Sequence, residues 1–172
     1  LAASPAMLVA YNIITANGTG NNMGILLQAD SGNTTIINNT ITARGSARGN
    51  FGIHLNQSSS VNITNNTIKT NGTGGENYGI YLNTNSNQND IMNNTITTND
   101  ATSGNNTGIL LNNSHVNRLL GNTVTTNLVQ SDGVQLLYLS GNNTLQNNTI
   151  VSAGFDINIS NANGTNLVDQ LF

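Results

Sequence analysis

The sequence predicts an all-β chain wound as a parallel β-solenoid of about six coils, each with about 27 residues and three short strands. Three markers recur along its 172 residues at nearly constant spacing. The first is the kernel Asn-Asn-Thr-Ile and its close variants, whose threonines are separated by 27, 28, 28 and 26 residues. These threonines are Thr40, Thr67, Thr95, Thr123 and Thr149. A unit of this length cannot enclose a core alone, so such repeats must stack on one another.

The other two markers are a glycine followed by an apolar residue, and a lone apolar residue before each kernel. The glycine pairs are Gly24-Ile25, Gly52-Ile53, Gly79-Ile80, Gly108-Ile109, Gly133-Val134 and Gly154-Phe155. The lone apolar residues are Val9, Ile36, Ile63, Ile91, Leu119, Leu145 and Leu167. The segments around them are short and β-branched, which favours strands over helices. We expect residues 1–8 to form an N-terminal segment or partial coil. We expect residues 9–172 to form the repeat domain, open at both ends, with Gln170 and Phe172 beginning a further coil.

Alternation along each strand assigns the side chains that fill the interior. In the Gly-Ile-x-Leu segments two apolar residues point inward: Ile25 and Leu27, Ile53 and Leu55, Ile80 and Leu82, Ile109 and Leu111, Val134 and Leu136. In the kernels the last residue points inward and the threonine outward. These inward residues are Ile41, Ile68, Ile96, Val124 and Ile150.

The second Asn of each kernel falls at one corner of every coil. These residues are Asn12, Asn39, Asn66, Asn94, Asn122 and Asn148. An Asn at this place can bond its side-chain amide to the Asn of the coils above and below, and it tolerates a left-handed turn. We therefore expect a structural asparagine ladder at one corner.

This order of markers resembles the parallel β-helix repeat of the pectate-lyase-like superfold, from Val9 to Phe172. The resemblance implies a right-handed, single-stranded parallel β-helix. Many members of that superfold are carbohydrate lyases or hydrolases, whose chemistry needs acidic residues on one outer face. The seven acidic residues here fall mostly in different turns, and we find no two at paired positions on adjacent coils. The sequence therefore favours a non-enzymatic protein with no catalytic residue, no metal site and no cofactor.

One outer face carries the residues most suited to contact a ligand. The outward positions of the Gly-Ile-x-Leu segments are Leu26, His54, Tyr81, Leu110, Gln135 and Asp156. His54 and Tyr81 are expected to be neighbours and to offer a glycan contact.

Asn-x-Ser/Thr sequences are dense, and in a host that glycosylates secreted asparagines several would be modified. There are fourteen such asparagines: Asn17, Asn33, Asn38, Asn56, Asn62, Asn65, Asn71, Asn93, Asn105, Asn112, Asn142, Asn147, Asn158 and Asn163.

Composition limits the function. Only 6% of the residues are charged, the net charge is −3, and there is no Cys, so neither nucleic-acid binding nor a thiolate metal site is expected. No apolar run is long enough to span a membrane. We expect an extracellular or cell-surface structural and adhesive protein, paired end to end with copies of itself or with further coils of its own chain. One alternative is a β-helix that binds or cleaves carbohydrate. Another is an ice-binding solenoid using outward threonine pairs such as Thr95 and Thr97.

Overall fold

The computed structural model describes residues 6–100, 105–128 and 130–169, apart from the side chain of Asp100. These residues contain nineteen strands and no helix. The strands form three parallel sheets of seven, six and six strands. This confirms the predicted parallel β-solenoid with three strands per coil. Gln170 and Phe172, expected to begin a further coil, lie outside the described residues. In the described part of the chain no helix is long and apolar enough to cross a bilayer.

Each coil contributes one strand to each sheet. The first sheet contains β1 (Leu8–Ala10), β4 (Thr35–Ile37), β7 (Asn62–Thr64), β10 (Asp90–Met92), β13 (Arg118–Leu120), β16 (Thr144–Gln146) and β19 (Leu167–Asp169). The second contains β2 (Ile13–Gly18), β5 (Thr40–Gly45), β8 (Thr67–Gly72), β11 (Thr95–Asp100), β14 (Thr123–Thr126) and β17 (Thr149–Val151). The third contains β3 (Met23–Gln28), β6 (Phe51–Asn56), β9 (Tyr78–Asn83), β12 (Thr107–Asn112), β15 (Asp132–Leu137) and β18 (Ile157–Ser160).

The core is one continuous apolar column inside the coils. The inward residues of the Gly-Ile-x-Leu segments and of the kernels from Ile41 to Val124 are buried, as predicted, and Ile150 packs against them partly buried. Equivalent residues stack directly, as in the series Ile53, Ile80 and Ile109 of the third sheet. Burying such a side chain stabilises the fold by roughly 1.5–3 kcal/mol, so the column is the main source of stability.

The glycine of each Gly-apolar marker is required by close packing. A Cβ at Gly79 would lie 2.2 Å from Cγ2 of Ile96 and 2.6 Å from the carbonyl oxygen of Gly108. The third sheet therefore approaches the second sheet and the next coil too closely for any side chain at this position. This explains why the glycine repeats with the coil.

The two asparagines of the kernel have different tasks. The left-handed conformation expected at the ladder asparagine belongs instead to the residue before it: φ is 54° at Asn38, 55° at Asn65 and 54° at Asn93. Gly121 takes this place in the fifth kernel, at φ 63°. The first residue of the kernel turns the chain, because Asn and Gly tolerate the left-handed region. The second residue of the kernel can then place its side-chain amide between coils.

Two sequence assignments in the last coil were wrong. Gln135 pairs with Asn158, not with Asp156, because Asp132 accepts the backbone N–H of Phe155 and holds Gly154-Phe155 in a turn before the strand. The expected glycine marker at this place is therefore not part of a strand.

The second error is a shift by one residue near the end of the chain. Leu145 pairs with Val168, not with Leu167. The side chain of Asn166 bonds to Asn143 and fixes the residue after it, Leu167, at the outward position.

Candidate functional site

The six asparagines expected as a ladder lie one above another at the corner before the second sheet. Each side-chain Nδ2 donates to the Oδ1 of the next coil at 2.9–3.0 Å, from Asn12 through to Asn148. The same Oδ1 atoms accept the backbone N–H of the preceding coil's asparagine. Four of the six are almost fully buried: Asn39, Asn66, Asn94 and Asn122.

Two further asparagine ladders, not foreseen from the sequence, occupy the other corners. One precedes the third sheet and joins Asn22, Asn50, Asn77 and Asn106, with side-chain distances of 2.8–2.9 Å. The other precedes the first sheet and joins Asn89, Asn117, Asn143 and Asn166, at 3.0–3.3 Å. The available signal was an Asn repeated at the coil period, two residues before Gly-apolar markers of the third sheet and two residues before inward apolar residues of the first. These ladders support the coils and are not ligand sites.

None of the fourteen asparagines of the Asn-x-Ser/Thr sequences is fully buried. Nine are exposed: Asn17, Asn33, Asn65, Asn71, Asn93, Asn105, Asn142, Asn147 and Asn163. The remaining five are half-buried: Asn38, Asn56, Asn62, Asn112 and Asn158. None of them belongs to a ladder, so a glycan at an exposed member would leave the ladders intact. Their modification stays a prediction.

His54 and Tyr81 are neighbours on the outer face of the third sheet, with ring centroids 4.7 Å apart and planes 10° apart. Phe51 and Tyr78 stack in the same way at 5.2 Å, and the two pairs meet edge to face. This aromatic cluster (Phe51, His54, Tyr78 and Tyr81) leaves His54 only 8% exposed. Within the described residues neither His54 ring nitrogen has a hydrogen-bond partner.

Burial in the aromatic cluster shifts its titratable groups. Desolvation lowers the pKa of His54 from 6.5 to about 4, so the ring is neutral near pH 7. Desolvation also raises the pKa of Tyr78 and of Tyr81, and the charge of Glu76 adds to the effect. Both phenols therefore stay protonated and can donate hydrogen bonds. His54 itself is too enclosed to meet a ligand, whereas Tyr81 is half-exposed.

A groove of about 920 Å³ begins at Tyr78 and Tyr81 and continues along the third sheet to Asn158 in the last coil. We call it the third-sheet groove. It crosses strands β9, β12, β15 and β18, a span of about 14 Å at the usual strand spacing. Its lining is mixed, with amides, hydroxyls and aromatic rings side by side, as is typical of sites that bind small polar molecules.

A single carboxylate organises the floor of the groove. Asp132 is 7% exposed. Its Oδ2 accepts Nε2 of Gln135 at 2.9 Å and Nδ2 of Asn158 at 2.8 Å, and its Oδ1 accepts the backbone N–H of Phe155 at 2.9 Å. The Thr107 hydroxyl donates to Oε1 of Gln135 at 3.4 Å. The two amides are thus held in fixed orientations, and each has a second N–H that this network does not use.

The corner after β15 keeps the backbone conformation of the repeat but carries different side chains: Thr84 and Asn85, at the same corner after β9, have φ of 52° and 59°. Tyr138 and Leu139 follow β15 at the position that Thr84 and Asn85 occupy after β9, two coils earlier in the chain. Both take a left-handed conformation, at φ 40° and 59°, and they are 60% and 48% exposed. Tyr138 lines one edge of the groove, and Phe155, 68% exposed, lines the opposite edge before β18. Two exposed aromatic rings therefore flank the ordered amides.

The outer face of the second sheet carries the threonines. Thr40, Thr67, Thr95, Thr123 and Thr149 form one exposed column in register. The neighbouring column contains Thr15, Thr42, Thr97 and Thr125 but is interrupted by Lys69 and ends at Val151. The charged side chain of Lys69 projects from the middle of this face.

The structure is thus a parallel β-helix with an open groove on its third sheet. Residues 1–96 match the family model described as right handed beta helix region, and residues 73–171 match the model described as periplasmic copper-binding protein (NosD). Each match covers more than half of the chain, which therefore belongs to the right-handed β-helix and NosD families that these models describe. Comparison with curated protein sequences gives no match.

Solved structures of similar fold include the periplasmic alginate epimerase AlgG. The chain superposes on it with a TM-score of 0.55 and 18% identity, covering 96% of this chain and 39% of that one. A double mutant of the same protein gives 0.54 and 18%, with 95% and 39% covered. A single mutant gives 0.52 and 17%, with 96% and 43% covered. The chain spans about two fifths of these proteins, and likeness at this identity shows the fold alone.

Proposed function

We propose that this chain is a non-enzymatic, adhesive β-helix that acts outside the cytoplasm and binds a glycan in the third-sheet groove. The corner of Tyr138 and Leu139 carries the proposal. A bulky residue in the left-handed region costs about 1–3 kcal/mol, and these two are also exposed, so stability gives no reason to keep them. Tyr11 has the same strain and exposure, but Tyr138 lines the groove and Tyr11 does not, so the position of Tyr138 beside the ordered amides is what favours a binding role.

The groove offers what a sugar ring needs. An aromatic ring provides an apolar face with a polar edge, and fixed amides pair with hydroxyl groups. Tyr138 and Phe155 supply the faces, and Gln135 and Asn158 supply the amides. Because Asp132 already orients both amides, little freedom remains to be lost on binding. A location outside the cytoplasm is supported by the comparisons, because the matched NosD family and the alginate epimerase are both periplasmic.

The acidic residues of the groove favour binding over catalysis. Both oxygens of Asp132 accept hydrogen bonds from the protein, three in all, which favours its structural use. Glu76 lies 3.9 Å from Arg48 in an exposed ion pair. A general acid or base must instead have an oxygen free to reach the substrate proton. The epimerase activity of the structural neighbour is therefore not carried over to this chain.

Copper, named in the NosD description, does not fit the residues present. Copper sites are built from converging His, Cys and Met side chains. The chain has no Cys, and its three Met residues lie apart: Met7 precedes β1, Met23 is in β3 and Met92 is in β10. Its two histidines are His54, enclosed by aromatic rings, and His115, whose Nδ1 accepts the Gly141 N–H at 3.3 Å. Among the described residues no three His, Cys, Asp or Glu side chains converge. We derive no function through a metal.

Two exposed tyrosines at left-handed positions provide a matched test. Tyr138→Asn changes the groove edge, and Tyr11→Asn changes a distant kernel where Asn is the usual residue; φ is 40° and 58°. Asn tolerates both conformations, so neither variant should lose stability. Binding to soluble polysaccharides is measured by affinity electrophoresis and calorimetry. Both proteins are made in a host without N-glycosylation, because the first change creates an Asn-x-Ser sequence.

We expect Tyr138→Asn to weaken glycan binding about tenfold, a loss of ~1.4 kcal/mol of ring stacking, and Tyr11→Asn to leave it unchanged. Equal losses in both variants, or none in either, would refute the assignment of the groove. End-to-end association of the chain stays a second proposal, in which stacked copies would present a continuous row of grooves.

A further inference from the structure

We infer that the third-sheet groove selects an uncharged, hydroxyl-rich polysaccharide and rejects polyuronates. This inference rests on the proposed function and names its ligand class. It is carried by the distribution of charge. Among the described residues that line the groove, two carry carboxylates, Glu76 and Asp132, and none is Lys, Arg or His.

The four cationic side chains of the chain all lie elsewhere. Arg44 and Lys69 are on the second sheet, in β5 and β8, and Arg118 is on the first sheet, in β13. There Arg118 is paired with Asp90 at 3.2 Å. Arg48 follows β5, lies 3.9 Å from Glu76 and is not among the residues that line the groove. None of these groups is placed to receive the carboxylates of an acidic polymer along the groove.

The carboxylates of the groove keep their effect on an incoming ligand. Arg48 and Glu76 are largely exposed, with 78% and 47% of their side chains accessible, so their pairing is weak and screened. Asp132 is bonded to two neutral amides and a backbone N–H, which distribute its charge but do not neutralise it. A polyuronate would bring one carboxylate per sugar into this field without a cation to meet it, and such unmatched like charges are a means of rejecting a ligand.

The polar groups of the floor suit an uncharged ligand equally well. Gln135, Asn158 and Thr107 can donate to and accept from hydroxyl groups. The phenol of Tyr81 accepts Nδ2 of Asn112 at 3.4 Å and can donate its own proton. The similar fold of an alginate epimerase is no argument against this selection, because the fold does not determine the ligand.

The test uses affinity electrophoresis of the full chain in gels containing one polysaccharide each. Two probes are uncharged, a galactomannan and a mixed-linkage β-glucan, and two are polyuronates, alginate and polygalacturonate. The variants are Glu76→Gln and Glu76→Lys. The wild-type protein and both variants are run against every probe at low and at physiological salt. We expect the wild-type protein to be retarded by an uncharged probe and by neither polyuronate. Glu76→Lys should gain several-fold, salt-sensitive retardation by polyuronates, and Glu76→Gln should gain less.

The outcomes separate the inference from the proposed function. Retardation of the wild-type protein by polyuronates and not by uncharged probes would overturn the selection but leave glycan binding in place. The selection would also be overturned if Glu76→Lys gained no polyuronate binding. No retardation by any of the four probes would count against glycan binding itself.

Discussion

Replacing Asn94 by Ala tests how much one ladder residue contributes to stability. Nδ2 of Asn94 donates to Oδ1 of Asn122 at 3.0 Å and to the carbonyl oxygen of Ile63 at 2.8 Å. Its Oδ1 accepts both the backbone N–H and the side-chain amide of Asn66, at 2.9 Å and 3.0 Å. The variant loses four hydrogen bonds in a site that is 1% exposed.

The cost follows from what is left without a partner. The backbone N–H of Asn66 loses its acceptor inside the fold, which costs about 1–3 kcal/mol, and the other bonds contribute about 0.5–1.5 kcal/mol each. We expect Asn94→Ala to lower the free energy of unfolding by about 4 kcal/mol. The measurement is equilibrium unfolding in guanidinium followed by circular dichroism at 25 °C. Hydrogen exchange should show faster exchange of the Asn66 amide.

The matched control is the neighbouring residue. Asn93→Gly keeps the left-handed turn, as Gly121 does in the next coil, and we expect a change of less than ~1 kcal/mol. A loss below ~1.5 kcal/mol for Asn94→Ala, or one equal to that of the control, would show that the ladder does not stabilise the fold as argued.

Four further predictions concern packing, pH, the threonine face and assembly. Gly79→Ala should destabilise the chain by about 3 kcal/mol in thermal unfolding, because its Cβ would meet Ile96 at 2.2 Å; a neutral effect would contradict the close packing. Since burial lowers the pKa of His54 from 6.5 to about 4, the unfolded chain binds this proton more readily. Stability should thus decline as pH falls from 6.5 towards 4, and a His54→Phe variant that keeps the same slope would exclude His54 as its source. Thermal hysteresis should be absent because Lys69 interrupts one of the two threonine columns and places a charge on the face; marked hysteresis would support ice binding. Electron microscopy of concentrated native protein should show rods of stacked chains, whereas single particles alone would contradict end-to-end association.

The sequence predicted the regular part of the molecule well. The apolar column and the corner residues from Asn12 to Asn148 follow the coil period, and each coil repeats the same packing problem. Residues such as Ile53 and Leu55 are therefore assigned by comparison with the same segment in four other coils. Two of the three asparagine ladders were missed because their asparagines stand outside the obvious kernel.

The groove was predicted less well because it depends on departures from the period. Asp156 was placed in the outer row although Asn158 occupies it, since Gly154-Phe155 imitates the glycine marker. Only the hydrogen bond from the Phe155 N–H to Asp132 reveals the turn, and it joins residues 23 positions apart. No local pattern contains that information.

The contrast between residues that repeat in every coil and residues that do not indicates where function lies in this fold. A residue that repeats in every coil, such as the ladder asparagine, is explained by the packing of coil on coil. A residue that breaks the repeat at a cost in stability needs another reason. Tyr138 and Leu139 keep the left-handed backbone that Thr84 and Asn85 have two coils earlier, but they place exposed apolar side chains on it. They do so beside the one carboxylate, Asp132, that orients two amides of the groove floor. Substituting repeat-like residues at these positions separates the two explanations, because such a variant should keep or gain stability while losing its ligand.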